Sequence, residues 1–198
     1  MKKTLENLTK AFIGESQARN RYTMYSSTAR KEGYQQISEI FEITAENEVE
    51  HAEWIWKMIK QIKKDLKLTD EEIAKPMIVE TDSPQIWGTT LDNLKSAADG
   101  ENHEFEQLYP SFAQTAEEEG LNDVAARLRA IAKSEQHHRD RFRKLIQVIE
   151  DNTVFKKDAP IKWFCRKCGY WHEGAEPPEK CPSCGHDKSY YQRMCEEY

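Results

Sequence analysis

The chain has 198 residues and a net charge of −6, from 29 Lys and Arg against 35 Asp and Glu, which argues against nucleic acid as its main partner. A mean hydropathy of −0.87 suits long helices with one apolar stripe, and no run of about 18 apolar residues exists to span a membrane. The start, Met1-Lys2-Lys3-Thr4-Leu5-Glu6, lacks the apolar core of a signal peptide, so a reducing cytoplasm is the expected setting.

A first helix is predicted from about Thr4 to Lys31, with Leu8, Phe12, Glu15, Tyr22 and Ala29 on one face and Gly33 as its stop. A second covers roughly Tyr34 to Lys64. A long connection with Pro76 and Pro84 follows, with room for a short helical turn at Asp70–Ala74 capped by Thr69 or Asp70. A third helix starts near Thr89 and presents Leu94, Ala97, Glu101, Glu104, Leu108 and Phe112 inward, with a kink at Pro110. Gly120 separates it from a fourth, about Leu121 to Asp151. Two short-looped helical hairpins joined by a connection of about 24 residues make a ferritin-like four-helix bundle with one long crossover. The chain thus divides into a bundle over residues 1–151 and a linker plus small domain over 152–198.

The second and fourth helices carry the same pattern 87 positions apart. Ile37, Phe41, Thr44, Glu48, His51, Ile55, Met58 and Ile62 match Val124, Leu128, Ile131, Glu135, His138, Phe142, Leu145 and Ile149. Alternating steps of four and three mark the buried seam of a helix in a bundle. Each seam nevertheless holds a Glu and, one turn later, a His. A carboxylate there costs several kcal/mol unless it is paired or coordinates a cation.

A single Glu-x-x-His is weak, since about one is expected by chance among 25 Glu and six His. Two of them in matched seam register are a stronger signal. Glu15 and the Glu101/Glu104 pair add inward carboxylates from the other two helices, giving five Glu and two His around one axis. That donor set suits Fe or Mn. Five carboxylates against two divalent ions leave −1, as do two trivalent ions with a bridging oxide, so a redox-active metal is favoured. Tyr22 and Tyr109, also 87 apart, either fill core space or donate hydrogen bonds to ligating carboxylates. His103 and His137 point elsewhere.

Four of the five cysteines form two C-x-x-C pairs, Cys165/Cys168 and Cys181/Cys184, with twelve residues between the pairs; Cys195 stands alone. This spacing is a strong signal for a tetrahedral four-thiolate site, structural or electron-carrying, and does not by itself choose between Zn and Fe. Trp163, Phe164, Tyr170, Trp171, Tyr190 and Tyr191 are the expected small core.

With the Glu set, both Glu-x-x-His motifs and the paired knuckles in this order, nearly the whole chain resembles the rubrerythrins. The resemblance implies a ferritin-like di-iron bundle followed by a rubredoxin-like domain. It implies two Fe held by Glu15, Glu48, His51, Glu101, Glu104, Glu135 and His138, and one Fe held by Cys165, Cys168, Cys181 and Cys184. The activity implied is reduction of hydrogen peroxide to water, with electrons from a reductase or a rubredoxin-type donor protein. It further implies a head-to-tail homodimer and an exchange of Glu104 for His51 on one iron, with Tyr22 and Tyr109 orienting the carboxylates. Ferroxidase or oxygen-scavenging activity is the neighbouring alternative. A zinc-stabilised interaction protein is the rival from another class.

Overall fold

The computed structural model describes residues 1–196. Helix α1 (Lys2–Lys31) and helix α2 (Gln35–Asp65) form an antiparallel hairpin. After α2 comes the short α3 (Asp70–Ala74), then α4 (Thr90–His103), a π-helical turn (Glu104–Leu108), α5 (Tyr109–Glu118) and α6 (Asn122–Glu150). Helices α4 and α5 run on as one rod and pair with α6 to make the second hairpin.

Both hairpins turn by the same device. Gly33 sits at φ +84° and Gly120 at φ +79°, backbone that side chains with a Cβ rarely adopt. Around each, a six-residue bond closes the helix end: Tyr34 N–H to the Ala29 carbonyl at 2.8 Å, and Leu121 N–H to the Ala116 carbonyl at 2.7 Å. Thr69 and Thr89 each cap the following helix with a reciprocal box, through Glu72 and Asp92.

The crossover lies along the outside of α1. The Tyr25 hydroxyl donates to the Ile86 carbonyl at 2.6 Å, and the Trp87 indole N–H donates to Thr28 Oγ1 at 3.2 Å. These contacts tie the loop to the helix and fix the second hairpin against the first.

Two apolar clusters fill the bundle. One gathers Leu8, Ile55, Ile62, Tyr109 and Leu128 toward one end; the other gathers Tyr22, Phe41, Leu94 and Phe142 toward the opposite end. Between them every long helix contributes a carboxylate, so the acidic layer is sealed by hydrocarbon above and below.

Pro110 sits in the first turn of α5, directly after the π-helical turn. The wide turn before it absorbs the proline, whose missing N–H would break a regular α-helical ladder; Tyr109 N–H reaches back to the Glu104 carbonyl instead. That turn holds one extra residue and moves the seam on by one. Tyr109 and Ala113 are buried, while Leu108 and Phe112, the expected inward positions, are half-buried. Phe12 is likewise half-buried, and Ala11 takes the core position beside it.

Beyond α6 a three-stranded antiparallel sheet has the order β2-β1-β3, with β1 (Ile161–Cys165), β2 (Trp171–Gly174) and β3 (Tyr191–Arg193). Trp163, Cys165, Cys181 and Tyr191 are its buried core. Trp171 is 54% exposed and lies outside that core, its ring covered by the Lys162 ammonium at 5.6 Å. The small unit rests on the α1–α2 turn: Ser189 packs on Gly33, and Arg166 pairs with Glu39 of α2.

Candidate metal centres

Heptad-like spacing delivers one acid from each long helix to the same level. Glu15, Glu48, Glu101 and Glu135 are each at most 1% exposed, and His138 is 2% exposed. Their donor atoms form two overlapping tetrads, Glu15–Glu48–His51–Glu135 and Glu48–Glu101–Glu135–His138, the atoms of each within 4.8 Å of one another. Glu48 and Glu135 belong to both. Glu104, at the start of the π-turn, is half-buried and stands beside the tetrads rather than in them.

The contacts inside the layer suit a cation better than hydrogen bonding. His138 Nδ1 lies 2.9 Å from Glu135 Oε2, 3.3 Å from Glu48 Oε1 and 3.5 Å from Glu101 Oε2. None of these approaches has hydrogen-bond geometry. His138 Nδ1, Glu48 Oε1, Glu101 Oε2 and both Glu135 oxygens are buried without a partner. His51 Nδ1 is 3.0 Å from Glu48 Oε2 and from Glu135 Oε1, and 3.7 Å from Glu15 Oε2. Orphaned lone pairs converging from three helices on one spot are what a bound cation satisfies.

Protons alone satisfy the layer poorly. Burial, and then repulsion from Glu48, pushes the Glu101 carboxyl up to about 8. Burial also raises Glu15 and Glu104, with neighbouring carboxylates adding to it. Burial opposes charge on His138, but Glu101, Glu135 and Glu48 together push its imidazole up to about 12. Glu48 goes the other way: burial would raise it, yet His138 and His51 hold it at about 2.

Both tyrosines the sequence left open reach the acids. The Tyr22 hydroxyl donates to Glu101 Oε1 at 2.5 Å, and the Tyr109 hydroxyl donates to Glu15 Oε1. They also fill core space, since each is 1% exposed. Each bond crosses between the halves of the repeat, Tyr22 of the first hairpin to Glu101 of the second and Tyr109 of the second to Glu15 of the first.

Two openings reach this layer. A groove of about 460 Å³ between α2 and α6 is lined by Asn47, Glu50, His51, Lys133, His137 and His138. A wider one of about 610 Å³ between α1 and α2 runs past Phe12 and Trp56 to Glu15 and Glu48. Sequence reading overlooked Arg141. Its Nη2 donates to Thr44 Oγ1 at 2.6 Å, one turn from Glu48, and Glu48 and Glu101 favour its charge while burial opposes it. An Arg three residues after a seam His was the available signal.

In the small unit all four knuckle cysteines converge as free thiols. Cys165 and Cys184 sulfurs are 3.8 Å apart, and Cys168 and Cys181 sulfurs 3.6 Å. Four sulfurs at ~2.3 Å from a tetrahedral ion are about 3.8 Å apart, so the spacing fits a four-thiolate metal site and not a disulfide. Gly169 and Gly185, at φ +78° and +74°, let each knuckle close, their N–H groups bonding the Cys165 and Cys181 carbonyls at 2.8 Å. Burial would raise Cys181, but the Tyr191 hydroxyl and the Cys184 and Ser183 amides hold it at about 6, favouring thiolate. Cys195 is exposed and lies outside the group.

The family model Rubrerythrin matches residues 6–146, and the model for the rubrerythrin rubredoxin-like domain matches residues 163–192. The rubrerythrin of Clostridium perfringens is 52% identical over 198 residues, covering 99% of this chain and 96% of the relative. A structure of nigerythrin in its fully reduced, all-ferrous state aligns with a TM-score of 0.62 at 30% identity, covering 96% of this chain and 86% of that one. Bacterioferritin BfrA of Mycobacterium tuberculosis, at 17% identity and a TM-score of 0.63 over 75% of this chain and 87% of its own, shares the fold.

Proposed function

We propose that this chain, which belongs to the rubrerythrin family, reduces hydrogen peroxide to water at a di-iron centre. As a member of that family it has a di-iron site in the bundle and one iron at the cysteine knuckles. The observation that carries the reading is the pair of tetrads sharing Glu48 and Glu135, in which Glu48 Oε1, Glu101 Oε2, both Glu135 oxygens and His138 Nδ1 are buried without hydrogen bonds. In our assignment Glu15, Glu48, His51, Glu101, Glu104, Glu135 and His138 hold the two irons, and Cys165, Cys168, Cys181 and Cys184 the third. When bound, the paired irons supply Lewis acidity and one electron each to the O–O bond.

The residues do the rest. Glu48 and Glu135 span both positions, while Glu15 and Glu101 each close one. Tyr22 and Tyr109 lock Glu101 and Glu15 in rotamer by hydrogen bonding to them. The His51 side chain, 13% exposed against 3% for that of His138, lines the groove with it, so a solute the size of peroxide entering there meets His51 first. Glu104 stands beside the first tetrad with a carboxyl whose hold on its proton burial strengthens in the metal-free layer, placed to give a proton to a departing oxygen or to exchange with His51. The apolar clusters above and below close the layer at both ends of the bundle, leaving the two side grooves as its approaches.

The knuckles are read as the electron entry. Arg166, next to Cys165, touches Glu39, which lies nine to twelve residues before Glu48 and His51 on α2. At 1.5 Å per residue that is on the order of 15 Å along the axis. So long a path within one chain supports a homodimer in which each small unit serves its partner's bundle, with an external donor protein or reductase. We place the protein in the cytoplasm; no helix is long and apolar enough to cross a membrane among the described residues.

Anaerobically reduced protein mixed with peroxide, or with dioxygen, in a stopped-flow spectrometer tests the activity. Peroxide is expected to reoxidise the centre much the faster. Equal rates with the two oxidants would overturn the assignment.

A further inference from the structure

The seam between the bundle and the small unit encloses a cavity of about 290 Å³, close to the lower bound of about 300 Å³ for small-molecule sites, which favour such junctions. Its apolar lining is half aromatic, with Tyr34 from the α1–α2 turn, Phe155 from the connection, and the nearly fully buried Trp163 and Tyr191 from the sheet. The other half is aliphatic, with Ile37, Leu145, Val148 and Val154. The Tyr34 and Phe155 rings are parallel to within 4°, their centroids 6.4 Å apart.

The polar groups are of one sign. Lys144, Lys157 and Arg193 line the cavity and, among the described residues, no carboxylate does, in a chain whose net charge is −6. Among the described residues none of the three has an ion-pair partner. Nearby Lys156 and Arg166, by contrast, pair with Glu176 and Glu39. The Lys157 ammonium donates to the Thr153 carbonyl at 2.5 Å and so is held in place. Burial, and then the charge of Arg193, disfavours its proton, a tension that a bound anion would relieve.

We propose that this cavity binds a planar aromatic anion of mononucleotide type, its ring against Tyr34 and Phe155 and its phosphate at Lys157 and Arg193. The walls supply dispersion and stacking, and Arg193 and Lys157 supply charge-assisted hydrogen bonds. Neither half suffices alone. A bare phosphate leaves the aromatic surface uncovered, and a neutral ring leaves three cations unpaired. The cavity contains none of the residues assigned to the metals, although its Trp163 and Tyr191 pack against Cys165 and Cys181, and the inference does not rest on the peroxidase reading.

Isothermal titration of the full-length, metal-loaded protein with adenosine monophosphate tests it, with adenosine and inorganic phosphate as parallel arms. The nucleotide is expected to bind at least about tenfold more tightly than either arm. Lys157→Glu and Arg193→Glu should each weaken it at least about tenfold, while Lys3→Glu, remote from the cavity, should not. Should Lys157→Glu fail to fold, Arg193→Glu on an exposed side chain decides the matter. The proposal is overturned by no saturable binding, by phosphate binding as tightly as the nucleotide, or by charge-reversed cavities that bind as before.

Discussion

Stripping the cations from the bundle should make its stability fall with rising pH. In the metal-free fold Glu101 keeps its proton up to about 8, whereas an unfolded Glu releases it near 4.5. The folded state therefore holds more protons across that window, and stability is lost as pH climbs through it. The window spans about 3.5 pH units at about 1.4 kcal/mol each, or on the order of 5 kcal/mol for Glu101. His138 acts in the same sense: its contribution is full below 6.5 and declines as pH rises toward about 12. Glu48 opposes them only in acid, where its stabilisation is lost between 4.5 and about 2. At about 2–4 °C per kcal/mol for a protein of this size, the metal-free midpoint should drop by about 10–20 °C between pH 5 and pH 8. Cations replace those protons in the loaded protein and bind better as the ligands ionise, so its midpoint should hold or rise. Circular dichroism melts of chelated and loaded protein at the two pH values read this directly. A chelated sample that melts no lower at pH 8 than at pH 5, or a loaded one indistinguishable from it at pH 8, would refute the reasoning.

Tyr22→Phe and Tyr109→Phe remove the hydroxyls that hold Glu101 and Glu15. Each is expected to weaken bundle metal affinity by about 10–100-fold in equilibrium dialysis, while helicity is kept. Phe142→Ala empties a fully buried position between Tyr22 and Phe41, whose ring centroids lie 5.5 and 5.3 Å away, and should cost about 3–5 kcal/mol in urea unfolding. Glu119→Gln deletes the carboxylate that meets the N-terminal ammonium at 2.5 Å and the Thr4 N–H at 2.9 Å, the cap that α1 lacks on its own first residue. This partly exposed group should contribute about 0.5–1 kcal/mol above pH 4.5, lost as pH falls toward 2. Cys181→Ser should abolish the red ferric-thiolate absorption and leave bundle helicity and its two metals intact, by visible spectrum and metal analysis.

Most of the acidic layer was legible because burial of a carboxylate in a seam has few physical excuses. The 87-residue offset located Glu48, His51, Glu135 and His138, and the hairpin glycines located the turns around them. The third helix was harder. A regular 3.6-residue period runs Glu101, Glu104, Leu108, Phe112, and nothing in the residues announces an extra one in that stretch except Pro110, which reads equally well as a kink. Trp171 was misplaced for a different reason: a short strand alternates faces, and its outward face looked as aromatic as its inward one. Arg141 escaped because a charge next to a seam is ordinarily solvated, and only tertiary packing turns it inward to Thr44.

The wide turn at Glu104–Leu108 makes chain length itself a determinant of the metal layer. Five residues around an ordinary α-helix rotate by about 500°, which would set Tyr109 some ~140° away from Glu104. Losing one residue there would let ordinary winding return with Tyr109 four positions after Glu104, about 400° round, so Tyr109, Ala113 and Ala116 would stay inward, whereas losing one elsewhere in the rod would turn them by about 100°. In-frame deletions of one codon should therefore be better tolerated within that segment than on either side of it.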